Sequence, residues 1–496
     1  MTNNIVALIL ILYITAIFVF SIWGKSLKTL EDFVLARGKL GPYALGLSFA
    51  SSYASASLFL GVSGWSYSWG ESVLFYTVAI FGCTILGLMF FAKRFRKIGV
   101  KQESISLADW VGNRYDSNIL RTGVAALTLF NVTYIAGQFI GVAYLLQSFF
   151  SLPYTWGVII FAVVVMIYVS IGGTYSNVRT DMVQGVVMAI IALIVVIGGY
   201  LSFPHGFTSV HQGLLNQGGH FTQLINPDSS IFNSVWALVS IGWLLFIFVA
   251  NPHLVSLILS LKDPKDFRKF FLTAAIFLFI YQLMPFTGLF ARAHGLVVAK
   301  ADMVLPEFLK LIFPKSFVIL VILAVVSAAF TTVNALFVAV SAVISNDIYR
   351  KGSHLIMGKT EKRNSKDFSL LVGRISIWVV GAVAISIALS QPKSLTSLVW
   401  IGINGVLSGV AGPLIAGILM PQAHRTAAIF SFLVGVGSYL IIFAFFISNV
   451  MEAGALSSFF GTITMFAINW LISDYTVKAA EERNDAVEIR NVHHIK

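Results

Sequence analysis

A chain of 496 residues that is 57% hydrophobic and only 11% charged cannot clothe a water-soluble surface, so its solvent is the bilayer. The net charge of +12 does not indicate nucleic acid, because Lys and Arg cluster in loops between apolar runs, as in "KRFRK" (93–97) and "RKGSHLIMGKTEKR" (350–363), with no basic soluble domain to carry such binding. The single cysteine, Cys83, excludes an intramolecular disulfide and any multi-cysteine metal site.

Apolar runs of about 20 residues, the length of one crossing, recur along the whole chain. The alternating short segments of an outer-membrane barrel are not seen. The first run, 4–24, has no basic n-region and no small-residue cleavage site, and positive charges follow it; it reads as a retained helix that starts outside. Further spans are expected near 41–66, 72–92, 120–149, 154–172, 182–201, 232–250, 270–291, 316–345, 368–389, 394–419, 426–447 and 453–473, thirteen in all. The segments 25–40, 93–119, 173–181, 251–269, 346–367 and 474–496 then share one side and hold nearly every Lys and Arg, leaving Arg292, Lys300, Lys310, Lys315 and Lys393 on the other. That asymmetry assigns the basic side to the cytoplasm. The chain therefore reads as a multi-pass plasma-membrane (inner-membrane) protein with its amino terminus outside. Residues 1–473 form the transmembrane unit, and 474–496 a cytoplasmic tail, as a short helix or disordered. The polar, Gly-rich stretch 205–230 is expected to lie over the outer face.

One leading helix and an odd count suggest a repeat: two five-helix units, about 41–201 and 232–419, the second inverted, with two trailing helices. In transporters built this way the first helix of each unit is broken at mid-bilayer, where substrate sits. The candidates are "LSFASSYASASLFLGVSG" (47–64), crowded with small hydroxyls, and "WALVSIGWLLFIFVANPHLVSLILS" (236–260), where Asn251-Pro252 removes a backbone donor. No carboxylate falls at a span centre: Glu71, Asp228, Asp302, Glu307 and Glu452 lie outside, and the others fall in cytoplasmic loops or at helix ends. This disfavours a proton relay through buried acids. A cation held mid-membrane would need neutral oxygens, and Na⁺ suits such a site. In "VVSAAFTTVNALFVAVSAVISNDIYR", Ala328, Thr331 and Thr332 fall at i, i+3 and i+4 on one helix face. Taken alone, such a Thr pair can equally satisfy itself on i−4 carbonyls and permit close packing.

Three stretches in order carry a more specific signal. "EDFVLARGKLGPYALGLSFASSYASASLFLGVSG", "GGTYSNVRTDMVQG" and "TTVNALFVAVSAVISNDIYR" resemble the motifs of the sodium:solute symporter family, which includes proline, pantothenate, monocarboxylate and sugar symporters; the likeness runs from about 28 to 420. The resemblance implies an all-α fold of the LeuT-like, five-plus-five inverted kind. It also implies a secondary active symporter that imports a small organic solute with Na⁺ as the co-transported ion, and no organic cofactor. By position, the Na⁺ site would use the carbonyls of Ser51, Ala54 and Ala328 and the hydroxyls of Thr331 and Thr332. Asp181 matches an acid that assists cation exit; as an isolated feature it could be a helix N-terminal acid favoured by the dipole. Arg37 matches the loop arginine of the opening motif and could equally be a positive-inside charge. The solute would lie between the two broken helices and the fourth span, near Ser55, Ser57, Tyr134, Gln138, Leu244, Phe248, Asn251 and Pro252, with His253 just beyond.

Within the family, Ser57, Leu244 and Phe248 replace aromatic residues of the proline branch, which disfavours proline as the solute, although a proline-type amino-acid symporter stays the alternative. "SSYASASLFLGVSG", "QFIGVAYLLQ" and "NPHLV" are closer to the pantothenate and monocarboxylate branch. The pocket is too poor in Glu, Asn and Gln for a sugar. An integral membrane enzyme would need clustered His, Asp or Cys at ligand or acid–base spacing. His205, His211 and His220 share one loop without a suitably spaced acid. The short tail argues against a sensor, and the motifs do not support a passive channel.

Overall fold

The structure is a computed structural model that describes residues 12–19, 29–36, 39–351, 365–392 and 394–493. Arg37 lies outside these, as does most of the expected first span. Among the described residues no strand occurs, and nine helices are long and apolar enough to cross a membrane. Two further candidates are bent pairs, Pro42–Tyr53 with Ser57–Trp69 at 49° and Val235–Ala250 with Pro252–Leu259 at 45°, which brings the number to as many as eleven by length and composition. The expected thirteen also counts the leading run and divides Tyr154–Leu201 in two.

That division has a physical basis. Tyr154–Leu201 is 48 residues long. At 1.5 Å per residue it would extend roughly 72 Å, against a hydrocarbon core of roughly 30 Å. The chain turns instead at Gly173 (φ 55°, ψ −164°), a backbone conformation open essentially to glycine alone. Residues 173–181, expected as a loop, are therefore helical from Thr174 onward, because the reversal is completed at one residue. Thr174 Oγ1 donates to Val34 O at 2.7 Å and ties the corner to the helix Leu30–Leu35.

Other boundaries also move. The second broken span does not end at 250: Asn251 is extended (ψ 135°), and Pro252 then starts a new helix that runs to Leu259. Proline suits that first helical position, where no amide donor is needed. The ninth expected span continues as one turn-widened helix through Val343–Arg350. The stretch 205–230 contains a helix, Phe207–Gln217, whose Val210 and Leu214 pack with Tyr67, Phe221 and Phe290, while His211 Nδ1 meets Glu71 Oε1 at 2.8 Å. The tail backbone is helical, continuous with the last span, Val450–His493.

Each span sorts its residues by size and polarity rather than by hydrophobicity alone. On the second half of Tyr154–Leu201, Val183, Val186, Ile190, Ile194 and Ile197 are exposed at i, i+3, i+4 spacing, while Gln184, Gly185, Met188 and Val195 are buried. A lipid-facing stripe of large apolar side chains and an inner face of small or hydrogen-bonding ones is what packing without a hydrophobic drive between helices selects. The first half of the first broken span lies inside, against Phe267–Tyr281, Lys315–Ala342 and Tyr154–Leu201.

Candidate functional site

The break in the first span frees specific carbonyls. The helix ends at Tyr53, and Ala54 leaves helical geometry (φ −79°, ψ 70°), which puts the break inside the 47–64 stretch. Ser55 N then donates to Tyr53 O at 2.9 Å, and Ala56 N to Gln138 Oε1 at 2.8 Å. Ser51 O and Ser52 O thereby lose the i+4 donors a continuous helix would supply. Thr331 Oγ1 donates to Ser51 O at 3.0 Å and Thr332 Oγ1 to Ser52 O at 3.0 Å. The same hydroxyls reach Ala328 O at 3.2 and 2.9 Å. Three carbonyls and two hydroxyls thus meet at the break, all on residues that are 0% exposed.

Of the expected cation ligands, Ser51, Ala328, Thr331 and Thr332 come together. Ala54 is buried at the break, but among the described residues no hydrogen bond joins it to the threonines. Ser52 O, not in the expected set, is the second carbonyl that meets the threonines; the available signal was that its i+4 amide belongs to Ala56, beyond the break. The serine hydroxyls face elsewhere: Ser51 Oγ donates to Leu47 O at 2.9 Å and Ser48 Oγ to Asp181 Oδ2 at 2.5 Å.

Asp181 does not begin a helix. It sits two turns beyond Gly173 and is 1% exposed, so the helix-terminus reading fails, as does the expectation that every acid lies in a loop or at a helix end. Asp347, by contrast, is buried but lies in the last turn of the helix that continues Lys315–Ala342, as expected of an acid at a helix end. With Ser48, Asn177, His253 and Ser256, Asp181 lines a small cavity of ≈ 10 Å³. Ser48 precedes Ser51 by one turn, which places this cavity between the threonine pair and the basic end of the bundle. Asp181 Oδ1, both amide atoms of Asn177 and His253 Nε2 are buried there without hydrogen-bond partners among the described residues.

A second cavity, ≈ 30 Å³, lies beside the break, lined by Ser55, Ser57, Tyr134 and Phe248 among the residues proposed near the solute. Gln138 instead caps Ala56, while Leu244, Asn251 and Pro252 are buried outside the lining. Asn251 Oδ1 lies 2.7 Å from His253 Nδ1, whose ring meets Tyr134 edge-on. Tyr53, Tyr76 and Trp400, which are not in the expected set, also line the cavity, together with Leu58, Val62, Ile80, Val399 and Ile403. Tyr76 and Trp400 come from spans without a break or a polar signature, so nothing in their local sequence marks them.

At the basic end, the buried Asp109 and Asp347 meet partly exposed charges in an ionic cluster. Asp109 pairs with Lys351 and lies 3.6 Å from Arg121 Nε, Ser106 Oγ donates to Asp347 Oδ2 at 2.6 Å, and Arg350 Nη1 meets Glu31 Oε1 at 2.7 Å. Buried charges persist only when paired in this way. The cluster joins the short helix Leu107–Arg114 to the end of the threonine-bearing span.

Known proteins resemble this chain along most of its length. The sodium/pantothenate symporter of Haemophilus influenzae is 27% identical over 447 residues, covering 87% of this chain and 89% of that protein. Sodium/proline symporter 2 of Staphylococcus saprophyticus is 24% identical over 494 residues, covering 95% and 93%. Among solved structures, an outward-open, substrate-bound Na⁺-coupled sialic acid symporter superposes with a TM-score of 0.73 at 17% identity, covering 95% of this chain and 98% of that one. The nucleobase-cation-symport-1 transporter MHP1, in a closed conformation, gives 0.52 at 14%, covering 90% and 95%. These likenesses establish the all-α polytopic LeuT-like fold. The family model "Sodium:solute symporter family" matches residues 33–435, and the chain is a member of that family: a Na⁺-coupled transporter of small solutes, not an enzyme.

Proposed function

We propose that the protein imports a small carboxylate-bearing solute, a monocarboxylate, pantothenate-like anion or amino acid, by coupling it to inward Na⁺ movement. The observation that carries this reading is the meeting of Ser51 O, Ser52 O, Ala328 O, Thr331 Oγ1 and Thr332 Oγ1 at the break, directly beside the cavity lined by Ser55, Ser57 and Tyr134. These are neutral oxygens of the kind a hard, monovalent cation takes. Na⁺ bound there ties the first broken span to the threonine-bearing span and offers its charge to a carboxylate in the adjoining cavity. Asp181 then receives the cation on its way to the basic end, where the Asp109–Lys351 cluster must part. The charge asymmetry of the loops supports a cytoplasmic placement of that end, with the amino terminus outside.

Each Na⁺ crossing 100 mV contributes about 2.3 kcal/mol, which suffices for roughly 50-fold accumulation of a neutral solute before any Na⁺ gradient is counted. The test is uptake by the purified protein in proteoliposomes, using labelled carboxylates and amino acids with and without a Na⁺ gradient. Accumulation that requires the gradient is expected; accumulation indifferent to Na⁺ would refute the coupling.

A further inference from the structure

Five of the twelve residues that line the solute cavity are aromatic, Tyr53, Tyr76, Tyr134, Phe248 and Trp400, with Leu58, Val62, Ile80, Val399 and Ile403 between them. Tyr53 and Phe248 stand edge to face with centroids 4.6 Å apart, and Trp400 lies 5.8 Å from Phe248. Among the described residues, no Lys, Arg, Asp or Glu lines the cavity. Much of its hydrogen-bonding capacity is already engaged within the walls. The Tyr53 hydroxyl pairs with Thr84 Oγ1 at 2.9 Å, Trp400 Nε1 donates to the Tyr76 hydroxyl at 3.2 Å, and Ser57 Oγ donates to Thr396 Oγ1 at 3.2 Å.

These features discriminate among carboxylate-bearing solutes. A primary ammonium brings three N–H donors, and burying them unmet is costly. An alkylated ammonium has none to satisfy. It presents a diffuse positive charge wrapped in methyl groups, which aromatic faces attract through their quadrupole. A neutral alkyl group of the same shape gains burial but not that attraction. We propose that the cavity recognises a small zwitterion whose nitrogen is tertiary or quaternary, with its carboxylate toward the Ser51–Thr331 oxygens and its cationic end among the aromatic rings. This rests on the Na⁺-symport reading and narrows its substrate class.

Three probes of graded chemistry test it on the full-length protein in proteoliposomes: trimethylglycine, its uncharged-carbon isostere tert-butylacetate, and glycine. Binding and uptake are measured for each with and without Na⁺. Trimethylglycine is expected to bind roughly tenfold or more tightly than either of the others. In Trp400→Leu that ratio should fall toward one. Equal affinities, preference for the isostere, or no binding of trimethylglycine would overturn the proposal, and the wild-type ratio decides this even where the variant does not fold. Na⁺ dependence is a separate readout. Tight trimethylglycine binding that ignores Na⁺ would sink the coupling and leave the aromatic recognition. Na⁺-driven uptake of other carboxylates without trimethylglycine binding would do the reverse.

Discussion

Removing one hydroxyl at the break separates a cation site from a packing contact. In Thr332→Val the side chain keeps its shape and loses the oxygen that reaches Ser52 O at 3.0 Å and Ala328 O at 2.9 Å. Ala328 O retains Thr331 as a donor at 3.2 Å, but Ser52 O is left without one. An orphaned buried acceptor costs about 1–3 kcal/mol, and this part of the loss appears as lower thermal stability whatever the site binds. Contact between a polar group and a charge adds about 1.5–3 kcal/mol. If Thr332 ligates Na⁺, the Na⁺ concentration for half-maximal uptake should rise roughly 10- to 100-fold. The assay is initial uptake rate against external Na⁺ at saturating solute, alongside melting of the same preparation. Thr332→Ser keeps the oxygen and should restore most of the Na⁺ affinity. A valine variant that melts lower yet shows wild-type Na⁺ dependence would refute the cation role and leave only the packing contact.

Gly173→Ala should destabilise the protein by about 1–3 kcal/mol, because a Cβ is strained at φ 55°, ψ −164°; unchanged melting would contradict the one-residue corner. Gln138→Leu strips the Ala56 amide of its acceptor, at about 1–3 kcal/mol, and should raise the solute concentration for half-maximal uptake more than that for Na⁺. Equal effects on both would show that Gln138 supports only the fold. Burial pushes Asp302 up to about 6 from 3.8, with the Leu395 amide and Lys300 pulling it back. A carboxyl raised in the folded state adds stability that is complete below about pH 4 and is lost as pH rises through about 6, on the order of 3 kcal/mol in all. Asp302→Asn should flatten the melting profile across that window, and a profile as steep as wild type would locate the titration elsewhere.

The membrane class, the basic side, both broken spans and the threonine face are set by local features of the sequence. Apolar run length, charge placement, Asn251-Pro252 and the i, i+3, i+4 spacing of Ala328, Thr331 and Thr332 act within a turn or two of the chain, so they can be read there. The stretch after Gly172 is instead expected as a loop. Two glycines between apolar runs suit either a loop or a corner, and only the packed helices on both sides select the corner and carry Asp181 into the interior. What tertiary structure alone decided is which distant groups meet. Ser52 faces Thr332 because Gln138, 82 residues from Ala56, takes over an amide that would otherwise leave the break's geometry unsupported. Tyr76 and Trp400 wall the cavity because their unbroken spans cross behind it, joined at 3.2 Å over 324 residues of chain. Hydrogen bonds of such separation leave no periodicity in the sequence; they exist only once the helices are packed.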